Sequence, residues 1–496
     1  MLCLHEGVLY RWTILMLNRL RFSNKWIILA IISLGTFSTT LEGGMLVTAY
    51  PVLTDAFNIE VATVLWVTVA FWVTSVGVMM TFGWLGDVAG RRQVYAWGLV
   101  IFALGLLFSG MAFSFWQLIL FRVFQGIGCA MILANVNALI TQTFPKQQRG
   151  LALGFSGSVV GLGLTIGPFL GGVLLDVMDW RAIFYSRVPV AILGAWLSFY
   201  ILPDDRPLKR KFDVDLIGAF ALLVALSSSL LYINQGASVG FTSPIVIAML
   251  LLAVGFSPIF IWAENRSTRP IIEIGLFRNK QYTLSILILI SHYLAQGGVL
   301  LIAPFFMLES LEYSATKMGI IMAAFSASRP FLAPIAGRLS DNYGPRPLLI
   351  FGNVLLAIAL FWISKMGLDI NHGFIFSGML LASMGSAFFE PVVTSSIMGS
   401  VPVDRLGTAS AFVALGRQTA FAVGITLAGS IFTIRERSYL NFASEIEALS
   451  LGFSDVILSS VFFAVVAVIF SVLLTNTDGY IKSSRDIKHK SSTKPI

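Results

Sequence analysis

Fourteen stretches of this chain are apolar for long enough to cross a lipid bilayer, and no other feature narrows its folding options as far. A bilayer core needs about 20 apolar residues per helix. Inside it each backbone N–H and C=O needs a partner from the chain itself, which such a run finds as an α-helix. The runs lie near 26–46, 62–83, 93–113, 116–138, 149–174, 182–202, 215–234, 244–263, 281–306, 316–338, 347–366, 372–396, 406–432 and 454–475. With 57% of its 496 residues hydrophobic and 12% charged, the chain is too apolar for a soluble globular protein. The expected class is an all-α integral membrane protein with lipid as its surroundings.

The net charge of +8 does not point to nucleic acid, because the basic residues fall in short breaks between runs and in the tails rather than in one patch. They cluster in alternate breaks: Arg91 and Arg92; Lys146 and Arg149; Arg206, Lys209, Arg210 and Lys211; Arg266, Arg269, Arg278 and Lys280; Arg338, Arg346 and Arg405. The positive-inside rule makes these breaks cytoplasmic. An even number of spans then puts both termini in the cytoplasm, in agreement with Lys482, Arg485, Lys488 and Lys490 in the final tail. Arg435 and Arg437, in what reads as an outer loop, disagree. Residues 1–24 read as a cytoplasmic tail, with Met16 as an alternative initiator.

Within this series one pattern occurs twice. GWLGDVAGRR carries Gly83, Asp87, Gly90, Arg91 and Arg92, and GRLSDNYGPR carries Gly337, Asp341, Gly344 and Arg346. Each copy follows the second run of a block of six. A second echo sets Pro145, Arg149 and Gly150 beside Pro402, Arg405 and Gly407. The reading is a duplicated unit: a tail at 1–24, a six-helix bundle at 25–203, a two-helix insert with its linkers at 204–280, a second bundle at 281–476 and a basic tail at 477–496. Parallel six-helix repeats about an axis along the membrane normal are the plan of the major facilitator fold.

The span from about Lys25 to Thr477 resembles the major facilitator superfamily and, within it, the fourteen-helix drug:H+ antiporters of multidrug efflux type. The doubled loop carries the likeness, with LILFRVFQGIGCA in the fourth run, GLGLTIGPFLGG in the fifth and LEGGMLVTAYP in the first. WRAIFYSRVP and Leu276–Phe277–Arg278–Asn279 also look like signatures of that family. Glu42 stands where the family usually has Asp, Val47 where it has Asn, and Arg187 where an Asn usually precedes Val-Pro. The resemblance implies proton coupling at Arg122, and an antiporter role for Gly163, Gly167, Pro168, Gly171 and Gly172.

Ionisable groups inside apolar runs mark sites of chemistry, since a charge at mid-bilayer costs about 2.5–3.5 kcal/mol even on insertion scales. Glu42 lies roughly 24 Å along the first helix at about 1.5 Å per residue. It is either the proton carrier or an outer-end glutamate reaching the headgroups. Glu390, followed by Pro391, is a second candidate for a proton or a cationic substrate. Arg122 needs a carboxylate or carbonyl partner. Arg329 and Arg417 either face the substrate pathway or pair internally. Gln125, His292 and Gln296 are pathway candidates, the last two sharing a helix face four residues apart. Asp87, Arg91 and Arg92, with Asp341, Gly344 and Arg346, read as a conformational latch or, more plainly, as topology signals.

Two cysteines, Cys3 and Cys129, and four scattered histidines give no disulfide framework and no metal-ligand spacing. No nucleophile has a partnered base, so no enzyme is expected. No phosphate-binding Gly-x4-Gly-Lys loop occurs. The expectation is a cofactor-free secondary transporter driven by the proton gradient. It would be monomeric, multi-pass in the plasma membrane, and would export small drug-like compounds. The alternatives are a dedicated exporter of one endogenous metabolite (a siderophore, peptide or antibiotic) and a non-transporting membrane sensor.

Overall fold

A computed structural model describes residues 25–475, apart from 60, 65, 204–215, 267–273, 308–310, 312, 314 and 366–371. The two tails, the first linker of the insert and residues 267–273 of the second therefore fall outside the described residues. Every regular element among the described residues is helical. The long helices are α1 (Lys25–Phe57), α2 (Trp66–Ala89), α3 (Arg91–Gly110), α4 (Phe115–Thr143), α5 (Arg149–Val177) and α6 (Val188–Ile201). They continue with α7 (Leu216–Val239), α8 (Pro244–Arg266), α9 (Lys280–Phe305), α10 (Ala315–Ala327), α11 (Arg329–Tyr343), α12 (Pro345–Ser364), α13 (His372–Gly399), α14 (Leu406–Tyr439) and α15 (Glu445–Leu473). Thirteen described stretches are long and apolar enough to cross a membrane, α10 and α11 counting as one, and Ile217–Ile233 is a shorter fourteenth.

Helix ends follow local chemistry. Ser114 accepts from the Gln117 amide at the start of α4, Asn279 from the Gln281 amide at the start of α9, and Ser444 with Glu447 forms a reciprocal capping box on α15. The doubled motif ends α2 and α11 through Gly90 (φ 105°) and Gly344 (φ 83°). L side chains rarely adopt that backbone, which accounts for the last glycine of each copy.

Three observed boundaries differ from the apolar runs. α1 continues to Phe57 and α14 to Tyr439, so Arg435 and Arg437 are helical rather than in a loop, and the Arg435 Nε lies 3.1 Å from Asp455 Oδ2. Hydropathy marks where lipid would end, whereas a helix continues into water as long as its backbone bonds are made. The tenth span breaks at Ser328, because Pro330 has no N–H to donate one turn back. At the break Ser383 from α13 satisfies the Ser328 donors, accepting from its amide at 3.2 Å and from its hydroxyl at 2.7 Å. α13 and α5, by contrast, run unbroken through Pro391 and Pro168.

The chain forms two compact units. One takes the chain through Phe144, residues 166–214 and Val403–Ala411; the other takes Pro145–Thr165, residues 215–402 and the chain from Phe412 on. The first part of α5 thus belongs to the second unit, and the first part of α14 to the first. In the second unit α9, α12, α13 and α15 share a core of Phe306, Leu356, Leu360, Met379, Phe453 and Ile457. α7 and α8 pair with each other. α8 leaves Ile245, Leu251, Val254 and Ile261 exposed, as a lipid-facing helix does.

Candidate functional site

In the first unit, α1, α4 and the turn before α6 bring Glu42, Arg122 and Arg187 together at 1%, 0% and 2% exposure. Arg122 Nη1 donates to Glu42 Oε1 at 2.5 Å, and Arg187 Nη1 donates to Glu42 Oε2. Gln125, one helical turn from Arg122, donates to Glu42 Oε2 at 2.8 Å and accepts from Arg122 Nη1 at 2.5 Å. Arg122 Nε bonds to the Val67 carbonyl at 2.9 Å, and its guanidinium lies 4.4 Å from the centre of the Phe71 ring. Arg187 Nε bonds to the Ile183 carbonyl one turn back. Both glutamate oxygens are occupied, one carboxylate faces two guanidiniums, and the Nη2 atoms of Arg122 and Arg187 lack hydrogen-bond partners among the described residues. A buried charge is stable only when paired, so Glu42 holds both arginines in place.

The second unit carries a similar trio in a more open setting. Arg417 Nη1 on α14 donates to Glu390 Oε1 on α13 at 2.9 Å, and Arg329 Nη1, at the start of α11, lies 3.7 Å from Glu390 Oε2. Behind it runs a neutral polar chain. Arg329 Nη2 donates to Gln296 Oε1 at 3.3 Å, and Gln296 Nε2 reaches His292 Nε2 at 2.7 Å and Ser386 Oγ at 3.0 Å. His292 Nδ1 meets Asn353 Oδ1 at 2.7 Å, and Asn353 Nδ2 donates to Ser471 Oγ at 3.0 Å. His292 also stacks on Phe389 with ring centres 3.5 Å apart.

The doubled motif makes two cross-helix clamps. In the first unit Asp87 accepts from the Gly407 amide at 2.7 Å and from the Thr408 amide and hydroxyl at 2.9 and 3.0 Å. Arg91 donates to the same carboxylate at 2.7 and 3.0 Å and to the Val403 carbonyl at 2.5 Å. In the second unit Asp341 accepts from the Gly150 and Leu151 amides at 2.8 and 3.0 Å. Each aspartate caps the exposed amides at the start of a helix, α14 or α5, where its charge meets the positive end of the helix dipole. The backbones meet closely: a Cβ on Gly83 would sit 2.7 Å from the Gly407 carbonyl oxygen. Pro345 stands where the first copy has Arg91, so the second clamp lacks that arginine. Arg92 donates instead to the Phe199 carbonyl, and Arg346 is half-buried in the first turn of α12.

Gly163, Gly167 and Gly171 are buried on α5, and a Cβ on Gly172 would meet nothing within 4 Å. No cluster of three or more metal-ligating residues occurs among the described residues. Glu42, Arg122, Gln125, Glu390, Arg329 and Arg417 stand out in the sequence but their pairing does not, and Arg187 stands out only as a departure from a motif. Asn353, Ser386 and Thr408 carry no such mark. A guanidinium directly before the Val-Pro that opens α6 was the available signal for Arg187.

The chain is 28% identical over 412 residues to the riboflavin transporter RibZ of Clostridioides difficile, spanning 82% of this chain and 88% of that one. It is 28% identical over 400 residues to the multidrug resistance protein Stp of Mycobacterium tuberculosis, spanning 80% of this chain and 74% of that one. Among solved structures, the human organic anion transporter MFSD10 (TETRAN) shares the fold, with a TM-score of 0.65, 17% identity, and coverage of 89% of this chain and 100% of that one. The pattern of the Major Facilitator Superfamily matches residues 32–269 and 285–494. On that match, together with a helical architecture in which one clamp motif recurs in each unit, the chain is a multi-pass membrane protein of the major facilitator superfamily.

Proposed function

We propose that this chain is a proton-coupled antiporter that exports small drug-like molecules by alternating access. It would work as a monomer in the plasma membrane with both termini in the cytoplasm. The observation that carries this reading is Glu42, a carboxylate sealed inside a helical bundle between two guanidiniums and an amide. Packing needs no such group. A proton arriving on Glu42 removes the negative charge from between Arg122 and Arg187, which then repel each other and leave donors unsatisfied. The segments carrying the trio, α1, α4 and the turn before α6, must rearrange to relieve this. Proton entry thereby becomes a structural change, which loss of the proton reverses. Each charge moved gains about 2.3 kcal/mol per 100 mV, enough for roughly a 40-fold substrate gradient.

Inverted vesicles carrying the full chain, with an acridine dye reporting the proton gradient, test this directly. Drug-like compounds should release protons in the wild type and in Glu42→Asp, and should release none in Glu42→Gln at matched insertion. Wild-type release in Glu42→Gln would refute the coupling role. The likeness to a protein named as a riboflavin transporter supports a second reading, a dedicated exporter of one metabolite. Release by a single compound in a broad panel would favour it.

A further inference from the structure

We infer that Arg329 and Arg417 form a binding site on the second unit for the carboxylate or sulfonate of an organic monoanion. This rests on the transporter reading, for which it names the substrate class. It starts from a surplus of donors. Each guanidinium presents a fork of N–H groups and no acceptor. The hydrogen bonds described for this pair are one from Arg417 to Glu390, one between Arg417 and Tyr293, and one from Arg329 to Gln296. Arg329 is 6% exposed, and its Nε is buried without a hydrogen-bond partner among the described residues. The Arg329–Glu390 approach of 3.7 Å is an ion pair beyond hydrogen-bond length. Two positive charges thus share one carboxylate, and what the trio lacks is an acceptor with a negative charge. A planar carboxylate or a sulfonate supplies both, in the geometry guanidiniums recognise best.

The Glu42 trio has the same charge count but offers no such opening. Both of its carboxylate oxygens are taken, and none of its three residues is more than 2% exposed. In the second unit the Arg417 side chain is 26% exposed and that of Glu390 12%, so a solute can reach Arg417, with Arg329 behind it. The chain of Gln296, His292, Asn353 and Ser471 backs Arg329 with neutral groups that fix its position without cancelling its charge. The ring of Phe325 lies 5.9 Å from its guanidinium, and Tyr293 lies beside Arg417. Both rings are themselves buried and wall the pair on its apolar side. A cationic ligand would meet two like charges for every unlike one.

Full-length chain in lipid nanodiscs should be titrated calorimetrically with three probes of matched shape: naphthoate, naphthamide and naphthylmethylammonium. Naphthoate should bind at least about tenfold more tightly than the amide, as a hydrogen bond to a charged group predicts, and the ammonium most weakly. Arg417→Gln should erase the preference, Arg417→Lys should keep part of it, and Glu390→Gln should strengthen naphthoate binding severalfold. If Arg417→Gln does not fold, the lysine variant and Glu390→Gln carry the test, since they move affinity in opposite directions. Equal binding of naphthoate and naphthamide, tighter binding of the ammonium, or weaker naphthoate binding in Glu390→Gln overturns the site. Proton-coupled release by cations without anion binding would remove this site and leave transport standing. Anion binding that depends on Arg417, without proton movement, would do the reverse.

Discussion

A carboxylate shared by two guanidiniums makes the cost of a substitution depend on which member is lost. Glu42→Gln leaves Arg122 and Arg187 buried without a counter-charge, and breaking a buried pair from one side costs about 3–5 kcal/mol. Arg187→Gln leaves Glu42 and Arg122 as a neutral pair with Gln125 still bonded to both. The expected order of thermal midpoints in purified protein is therefore wild type, then Arg187→Gln, then Glu42→Gln. The double variant Glu42→Gln/Arg187→Gln should recover part of the loss. A double variant less stable than Glu42→Gln alone would contradict the shared-charge account. Glu42 and Arg122 could be picked out of the sequence because a charge inside an apolar run is costly unless it is paired or reaches the headgroups. Their pairing with each other and with Arg187 was not legible, since Arg187 lies 145 residues from Glu42 and local periodicity says nothing about contacts at that range.

The two clamps share a plan and differ in strength. Asp87 accepts two amides, a hydroxyl and a guanidinium, whereas Asp341 accepts two amides. Charge-assisted bonds are roughly twice as strong as neutral ones. Asp87→Asn should therefore lower the thermal midpoint and slow transport more than Asp341→Asn does; equal effects would show that Arg91 adds nothing to the clamp. The repeat itself was plain in the sequence, down to the glycines that Gly90 and Gly344 explain through their positive φ. That each aspartate caps the helix start marked by the other echo, Gly407 or Gly150, was hidden, because an open helix amide leaves no residue-type signature. The break at Ser328 was hidden for a related reason. Pro330 signals a lost bond, but the Ser383 hydroxyl that makes the break tolerable lies on another helix.

The molecule does not divide where its sequence duplicates. The first unit lacks residues 145–165 of its own half and includes Val403–Ala411 from the other. Cutting the chain between 204 and 215 should therefore give two fragments that are each unstable alone and that copurify and regain a cooperative melt when co-expressed. A first fragment that melts like the intact chain would contradict this. Hydropathy and motif put twelve of the fourteen expected spans in two repeats; the exchange of helix ends was not legible there, because it depends on contacts across hundreds of residues. This exchange also imposes a timetable on synthesis. Asp87 and Gly407 are 320 residues apart, so at about 5–20 residues per second the ribosome needs roughly 16–64 s to deliver the amide after the aspartate. Until then the nascent first unit holds a carboxylate with only Arg91 and solvent to answer it, and its clamp is among the last parts of the protein to close.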